Sequence, residues 1–239
     1  MKDFKQIRKL IPIYIALLIC FVFLAIAGSN TVTTMIENAP IENRKCIIID
    51  AGHGGVDGGA TSCTGVLESN INLTIALQLN DLFHLLGYRT YMIRTTDISV
   101  YTEGTSIAAK KVSDLKERVR IVNSTENAIL ISIHQNTFSD SKYSGAQVFY
   151  APTKDSKDLA TEIQSAFKSS INPTSNRQAK KADGIYLMQH IDCTGVLVEC
   201  GFLSNPTEEY QLNNPAYQQQ LCCVLATSIS NFLDRQKFN

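Results

Sequence analysis

The chain has 239 residues, with 22 basic side chains balanced by 22 acidic ones and hence no formal net charge. No basic stripe with interleaved aromatic residues occurs, which excludes nucleic acid as an expected partner. The seven cysteines form no C-x-x-C pair, so neither a thiolate zinc site nor a disulfide framework is expected. The length allows one well-buried domain of roughly 150–200 residues together with additional segments.

The N-terminal part reads as a membrane-targeting segment. Residues 10–28 carry no charged side chain, and residues 1–9 hold four basic side chains against one acidic one. This pattern predicts a transmembrane anchor or signal segment that follows a basic cytoplasmic tail, with the rest of the chain outside. Residues 29–43 are predicted to be a tether that leads to a single domain at residues 44–236. We therefore expect that domain at the extracytoplasmic face of the membrane, anchored there or secreted if the chain is cleaved near Ala27.

Strand and helix patterns alternate along the predicted domain. Apolar runs predict strands at residues 45–50, 88–94, 128–133, 146–150, 185–188 and 195–200. Helical periodicity predicts helices at residues 69–86, 114–124 and 155–171 and over most of 206–233. Residues 95–113 and 172–183 are expected to be loops. This order predicts an α/β fold with one three-layer domain, in which helices flank a largely parallel or mixed sheet.

The first predicted strand continues into a loop rich in glycine. The stretch IIIDAGHGGVDGGA, at residues 47–60, holds five glycines around His53. Their spacing fits neither the dinucleotide-binding pattern nor the P-loop pattern, so a phosphate cradle is not predicted. We predict instead that glycine lets the main chain bend tightly and approach another group closely, with His53 as the side chain that is presented.

Two histidines and two glutamates are candidates for a metal-dependent hydrolase. His53 and His134 each follow an apolar strand, and the carboxyl ends of such strands are where ligand sites gather. Neutral imidazole is a preferred zinc ligand, and a hydrolytic zinc site takes three protein ligands. Glu68, at a helix start, is the candidate third ligand, and Glu199, on a buried strand, is the candidate base. Taken singly, each residue also has a purely structural interpretation, such as a helix-start carboxylate or a buried ion pair.

Three further polar residues are candidates for supporting roles at this site. Asp50 and Asp57 flank His53 and could orient its second ring nitrogen, as carboxylates near metal sites often do. His190 follows the predicted strand at residues 185–188 and is expected to be a loop histidine near the groove that contacts substrate at most.

Four segments together resemble a known family. IIIDAGHGG, LESNINL, LISIHQN and VLVECGFLSNPTEE resemble, in order and context, the zinc-dependent N-acetylmuramoyl-L-alanine amidases of bacterial cell walls. The resemblance covers about residues 45–233 and implies that the domain at 44–236 is a zinc amidase catalytic domain. It implies hydrolysis of the amide between the lactyl group of N-acetylmuramic acid and L-alanine in peptidoglycan. The residues that it implies are His53, Glu68 and His134 as ligands of one Zn²⁺, Glu199 as catalytic carboxylate, and Asn72, Arg118 and Asn136 as framework or groove residues.

The layout of the chain resembles one subgroup of that family. An anchor and a short tether before a single domain resemble the germination-specific amidases of spore cortex, which implies muramic-δ-lactam formation and a location in the forespore or spore envelope. Ten residues separate His134 from Gly145 (145 − 134 − 1), too few for a helix covering the site, so control by a partner protein or by limited zinc occupancy is a hypothesis. The alternatives are a zinc carboxypeptidase acting on wall peptides and a catalytically silent wall-binding or scaffold protein.

Overall fold

The computed structural model describes residues 45–236. The predicted basic tail, apolar segment and tether, at residues 1–9, 10–28 and 29–43, lie outside the described residues. Within 45–236, no helix combines the length and the apolar character that crossing a membrane requires.

A mixed six-stranded sheet forms the centre of the domain. Its strands are β1 (Cys46–Ala51), β2 (Arg89–Met92), β3 (Ala128–Asn136), β4 (Gln147–Tyr150), β5 (Lys180–Lys181) and β6 (Thr194–Phe202). Their spatial order is β2-β1-β3-β6-β4-β5. Strands β2, β1, β3 and β6 run parallel, whereas β4 pairs antiparallel with β6 and parallel with β5. The predicted mixed sheet is thereby confirmed.

Helices cover both faces of this sheet. They are α1 (Glu68–Leu85), α2 (Ile107–Asn123), α3 (Ser156–Ser170), α4 (Tyr186–His190), α5 (Pro206–Leu212) and α6 (Pro215–Gln236). Side chains alternate across a strand, so Ile47 and Ile49 join one core while Ile48 joins the other. The first core includes α1, α3 and α6, and the second includes α2 and α4. The arrangement has three layers, as predicted.

Three element predictions were wrong in type or extent. Strand β5, at Lys180–Lys181, lies inside the predicted loop at 172–183. Residues 185–188, predicted as a strand, include the start of helix α4, because a short apolar run does not distinguish a strand from a buried helical turn. Helix α2 begins at Ile107, inside the predicted loop at 95–113. Its N-cap is Ser106, whose side chain accepts a hydrogen bond from the Ala109 amide, a start signal within the polar stretch.

The central strands end together at one edge of the sheet. Because β1, β3 and β6 are parallel neighbours, their carboxyl ends converge there. Strands β3 and β6 extend beyond their predicted ends to Asn136 and Phe202, so His134 also lies within a strand, as predicted for Glu199. These two residues pair directly in the β3–β6 register, and a β-bulge follows between His134 and Asn136. A bulge changes the direction in which neighbouring side chains point, so the backbone irregularity affects how side chains are placed at this edge.

Candidate metal centre

His53, Glu68 and His134 meet at the carboxyl edge of the sheet. One ligand atom from each lies within 4.8 Å of the others. Glu68 Oε2 lies 3.3 Å from His53 Nε2, and Glu68 Oε1 lies 3.0 Å from His134 Nδ1. Ligand atoms of a tetrahedral zinc centre, with bonds of about 2.0–2.1 Å, stand about 3.3 Å apart. Two imidazoles and one carboxylate at this spacing fit the donor set of a catalytic zinc site.

The backbone at His53 adopts a conformation that side chains rarely take. His53 has a φ of +62°, in the left-handed region, which costs about 1–2 kcal/mol for a residue other than glycine. The surrounding structure holds it there, since Arg118 Nη2 donates to the His53 carbonyl at 2.7 Å and Ser99 Oγ donates to the Gly54 carbonyl at 2.5 Å. Such strain, held in place by neighbours, is typical of functional sites.

The ring of His53 is oriented by a carboxylate. His53 Nδ1 donates to Asp57 Oδ2 at 2.8 Å, which leaves Nε2 as the ligand atom. Lys111 Nζ lies 2.7 Å from the other oxygen of Asp57 and fixes that carboxylate in turn. Burial lowers the pKa of His53, but hydrogen bonds and charge from Glu68 and Asp57 raise it to about 9. The carboxylates of Glu68 and Asp57 thus give the cluster an excess of negative charge, which favours a cation there.

Two glycines make room for the ligand side chains themselves. A Cβ atom at Gly52 would lie 2.2 Å from His134 Nε2, and one at Gly59 would lie 2.6 Å from Glu68 Oε2. The groups that approach the glycine backbone closely, as predicted, are therefore the side chains of the candidate ligands. Gly52 lies beside the His134 ring, whose Nδ1 faces Glu68 Oε1 at 3.0 Å.

Glu68 is held by both of its carboxylate oxygens. It is the first residue of α1, and only 4% of it is exposed. Oε2 accepts from the Ala60 amide at 2.9 Å, and Oε1 accepts from the Gln135 amide at 3.1 Å and from Asn72 Nδ2 at 3.2 Å. Burial raises the pKa of Glu68, but hydrogen bonds from the two histidines hold the pKa well below its usual range. The side chain is thus an ionised ligand in a fixed position.

Glu199 brings a second carboxylate to the cluster. It lies on β6 directly opposite His134, and its buried Oε2 makes no hydrogen bond with the described residues. Burial raises the pKa of Glu199 to about 7. A buried carboxylate needs compensation, and a pKa close to neutrality suits proton transfer in either direction.

The predicted framework or groove residues Asn72 and Arg118 lie beneath the site. They are 0% and 2% exposed, so they support the loops and cannot line a groove. Arg118 pairs with Asp50 and Asp114 and donates to the backbone carbonyl of Ala51. Asp50 therefore serves this buried pair, and of the two aspartates that flank His53 only Asp57 orients its ring.

His190 lies at the opposite edge of the sheet, which corrects its prediction as a groove residue. It ends α4, its ring stacks on Tyr186, and its carbonyl accepts from Asn123 Nδ2 at the end of α2. The chain must return to this amino edge before β6 can run parallel to β3, so a residue just ahead of β6 is remote from the site. Asn136 ends β3 beside the cluster, partly exposed, and stays a predicted groove residue.

Sequence reasoning missed Arg94 and Gln135. Arg94 is 2% exposed, and its guanidinium donates to the carbonyls of Ala51, Gly52 and Ser69 at 2.8–3.0 Å, which ties the glycine-rich loop to α1. The backbone amide of Gln135 donates to Glu68, and its side-chain Nε2 donates to Asn72 Oδ1. The available signal for Arg94 was its position just after a strand at the carboxyl edge.

Comparison with known proteins places this arrangement among cell-wall amidases. The family model described as N-acetylmuramoyl-L-alanine amidase matches residues 47–231. The germination-specific N-acetylmuramoyl-L-alanine amidase of Bacillus subtilis is 37% identical over 190 residues, which cover 79% of each chain.

Solved structures agree with the sequence comparison. The CwlD amidase from Clostridioides difficile, solved in complex with the GerS lipoprotein, is 38% identical with a TM-score of 0.77, covering 80% of this chain and 99% of that one. An N-acetylmuramoyl-L-alanine amidase from Clostridium difficile 630 is 29% identical with a TM-score of 0.68, covering 80% and 98% of the two chains.

Proposed function

The chain belongs to the N-acetylmuramoyl-L-alanine amidase family, and on that premise we propose how its residues catalyse the reaction and which wall they act on. The enzyme hydrolyses the amide that joins the lactyl group of N-acetylmuramic acid to the L-alanine of the stem peptide. The observation that carries the mechanism is the free buried oxygen of Glu199 beside the His53, Glu68 and His134 cluster.

One Zn²⁺ would be held by His53 Nε2, the Glu68 carboxylate and His134 Nδ1. Bound there, it would supply Lewis acidity toward water and the amide carbonyl. Glu199 Oε2 accepts the proton of the attacking water and delivers it to the nitrogen of the departing L-alanine, a task for which a pKa of about 7 is suited. Asp57 keeps the proton of His53 on Nδ1 throughout, so that Nε2 stays an acceptor.

Substitution of the base tests this mechanism. Glu199→Gln preserves the shape of the side chain and removes its proton-accepting capacity, so turnover is expected to fall about a hundredfold or more. Turnover is measured by mass spectrometry of stem peptides released from purified peptidoglycan, and zinc content by elemental analysis. Glu126→Gln, at an exposed position after α2, is the matched control. Wild-type turnover in Glu199→Gln would place the base elsewhere, and loss of zinc would make Glu199 a ligand.

The products also separate the amidase from the alternatives. A zinc carboxypeptidase has the same ligand types but releases single amino acids from the peptide terminus, whereas the amidase releases whole stem peptides with a free L-alanine amine. A silent wall-binding protein releases neither. The complete set of three ligands and Glu199 supports a catalytic role.

The substrate that we propose is spore-cortex peptidoglycan. Support comes from the 37% identity to a relative named as germination-specific in Bacillus subtilis. Removal of the stem peptide by this chain would precede formation of muramic-δ-lactam. The cortex muropeptides of a deletion strain should therefore lack muramic-δ-lactam. Normal muramic-δ-lactam in that strain would contradict the cortex assignment and leave the amidase chemistry intact.

The location and control of the enzyme are part of the same proposal. Residues 10–28 anchor the chain so that the catalytic domain faces the extracytoplasmic side. Fractionation of cells before and after carbonate washing tests this location. The complex of a 38% identical amidase with the GerS lipoprotein supports a regulatory partner for this chain. Full activity of the purified chain alone with stoichiometric zinc would contradict the need for such a partner.

A further inference from the structure

A cationic recess lies beside β4 and β5, the strands next to β6 at one side of the sheet. It encloses about 720 Å³, and its lining includes the basic side chains of Lys142, Arg177 and Lys180 but no acidic one. The remaining lining is mostly amide and hydroxyl side chains with the ring of Tyr143. Such a wall suits a polar ligand with negative charge.

The recess begins one strand away from the catalytic carboxylate. Gln147 lines it and pairs directly with Glu199 in the antiparallel β4–β6 register. Directly opposed residues in such a pair have Cα atoms about 4.5–5.5 Å apart and share one face of the sheet. A substrate with its scissile amide at Glu199 can therefore extend into the recess.

Arg177 is held in one orientation within the recess. Its Nε donates to the Ser144 carbonyl at 2.9 Å, and its guanidinium carbon lies 4.8 Å from the centre of the Phe202 ring. Nη1 lies at 3.5 Å from Gln147 Oε1, the limit of a hydrogen bond. Among residues 45–236, no carboxylate forms an ion pair with Arg177 within 4.0 Å, although the charge of Arg177 is felt by the nearby buried carboxylate of Glu208.

The supports of Arg177 are themselves fixed by Glu208. This buried carboxylate accepts from the Gly145 amide and from the Phe202 amide, each at 2.8 Å. Gly145 follows Ser144, and Phe202 carries the ring beneath the guanidinium, so both contacts of Arg177 are anchored to one side chain. The recess is thus prearranged, and a fixed guanidinium is the group best suited to bind a carboxylate with two hydrogen bonds.

We propose that Arg177 binds a carboxylate of the stem peptide on the L-alanine side of the scissile amide, an inference that rests on the proposed amidase function. The two arms of the substrate differ in charge, because N-acetylated sugars are neutral whereas the peptide beyond L-alanine carries carboxylates. The opposite flank of the cluster, at the glycine-rich loop, presents Asp97, whereas Asp57 on the same flank is already paired with Lys111. Charge therefore directs the peptide arm toward the Arg177 recess.

Two substrates that differ only in charge test the recess. They are N-acetylmuramoyl-L-alanyl-D-glutamate and its diamide, in which both carboxyl groups are amidated. For Arg177→Gln, kcat/KM on the dicarboxylate is expected to fall about 10–100-fold, mainly through KM, as for loss of a charge-assisted hydrogen bond. On the diamide, kcat/KM of the same variant should change by less than about twofold. Arg177→Lys keeps the charge without the planar fork, so its kcat/KM on the dicarboxylate should lie between those of wild type and Arg177→Gln. Arg120→Gln, at an exposed arginine on α2, is the control.

Several results would overturn the proposal. Equal losses on both substrates would make Arg177 a structural residue, and unchanged kinetics on the dicarboxylate would remove it from binding. The wild-type enzyme provides a test that needs no variant, because it should prefer the dicarboxylate and lose that preference as salt rises. Cleavage of peptidoglycan without any preference for the dicarboxylate would refute carboxylate binding in the recess and leave the amidase function intact. Absence of peptidoglycan cleavage in the presence of both zinc and the regulatory partner would instead refute the proposed function.

Discussion

Substitution of Gly52 by alanine should disable the metal centre through a single methyl group. Gly52 follows β1, and its amide donates to the Ile133 carbonyl at 3.0 Å, a bond that alanine retains. Its φ is not among the positive values found at other glycines, so the added Cβ is the only change. That atom would lie 2.2 Å from His134 Nε2 and 2.3 Å from Cε1 of the same ring.

The geometry sets the size of the effect. Ordinary contact begins at 3.4 Å, so the ring must retreat by 1.2 Å (3.4 − 2.2). Zinc–ligand distances tolerate only about 0.2 Å, and misplacing a ligand typically lowers metal affinity about 10–100-fold. We therefore expect zinc affinity to fall by at least about tenfold, together with activity. Overpacking should lower the stability of the metal-free protein by about 1–3 kcal/mol.

Chelator-competition titration of zinc, with circular dichroism to establish folding, measures this effect. Gly58→Ala is the matched control, because its Cβ would meet only the flexible end of Leu67, at 3.1 Å. In a double-mutant cycle, Gly52→Ala should have no further effect on zinc affinity in a His134→Ala background, where the clashing ring is absent. Wild-type zinc affinity in folded Gly52→Ala would refute the argument that His134 binds the metal from this position.

Three further predictions follow from the contacts of the site. Asp57→Asn should weaken zinc binding about tenfold, because the amide no longer holds the proton of His53 on Nδ1; equal zinc titrations for variant and wild type would be inconsistent with this role. Activity should fall about tenfold per unit as pH drops through the pKa of Glu199, raised by burial to about 7, since the base must be ionised; an acid limb of kcat/KM that persists in Glu199→Gln would assign it to another group. Arg118→Met should cost about 3–5 kcal/mol in urea unfolding, because Asp50, 1% exposed, would lose its ion pair; a loss below 1 kcal/mol would show that the pair contributes little.

Local patterns predicted most of the architecture and the composition of the site. Continuous apolar runs such as Ile47–Ile49 belong to strands buried on both faces, and the period of α1 identified its packed side. His53, Glu68 and His134 could be selected because each stands at the end or start of such an element. The parallel order of the strands then required their carboxyl ends to share an edge.

Other features depended on residues that are distant in the sequence. The apolar run at 185–188 carried no period long enough to separate a strand from α4. His190 was misplaced because its edge of the sheet follows from the parallel pairing of β6 with β3, which no local pattern records. The roles of Arg94 and Gln135 depend on carbonyl and carboxylate partners up to 67 residues away in the chain.

By itself, the sequence determined which side chains are available for zinc and proton chemistry, and that glycine must surround His53, because both follow from residue type and spacing. Tertiary structure alone decided how these residues are used. The 2.2 Å approach of a Gly52 Cβ to His134 explains the glycine, and the burial of Glu199 beside His134 sets its pKa. The alignment of Arg177 by Ser144 and Phe202 likewise exists only once separate strands and loops have packed together, since contact distance and desolvation are properties of the folded chain.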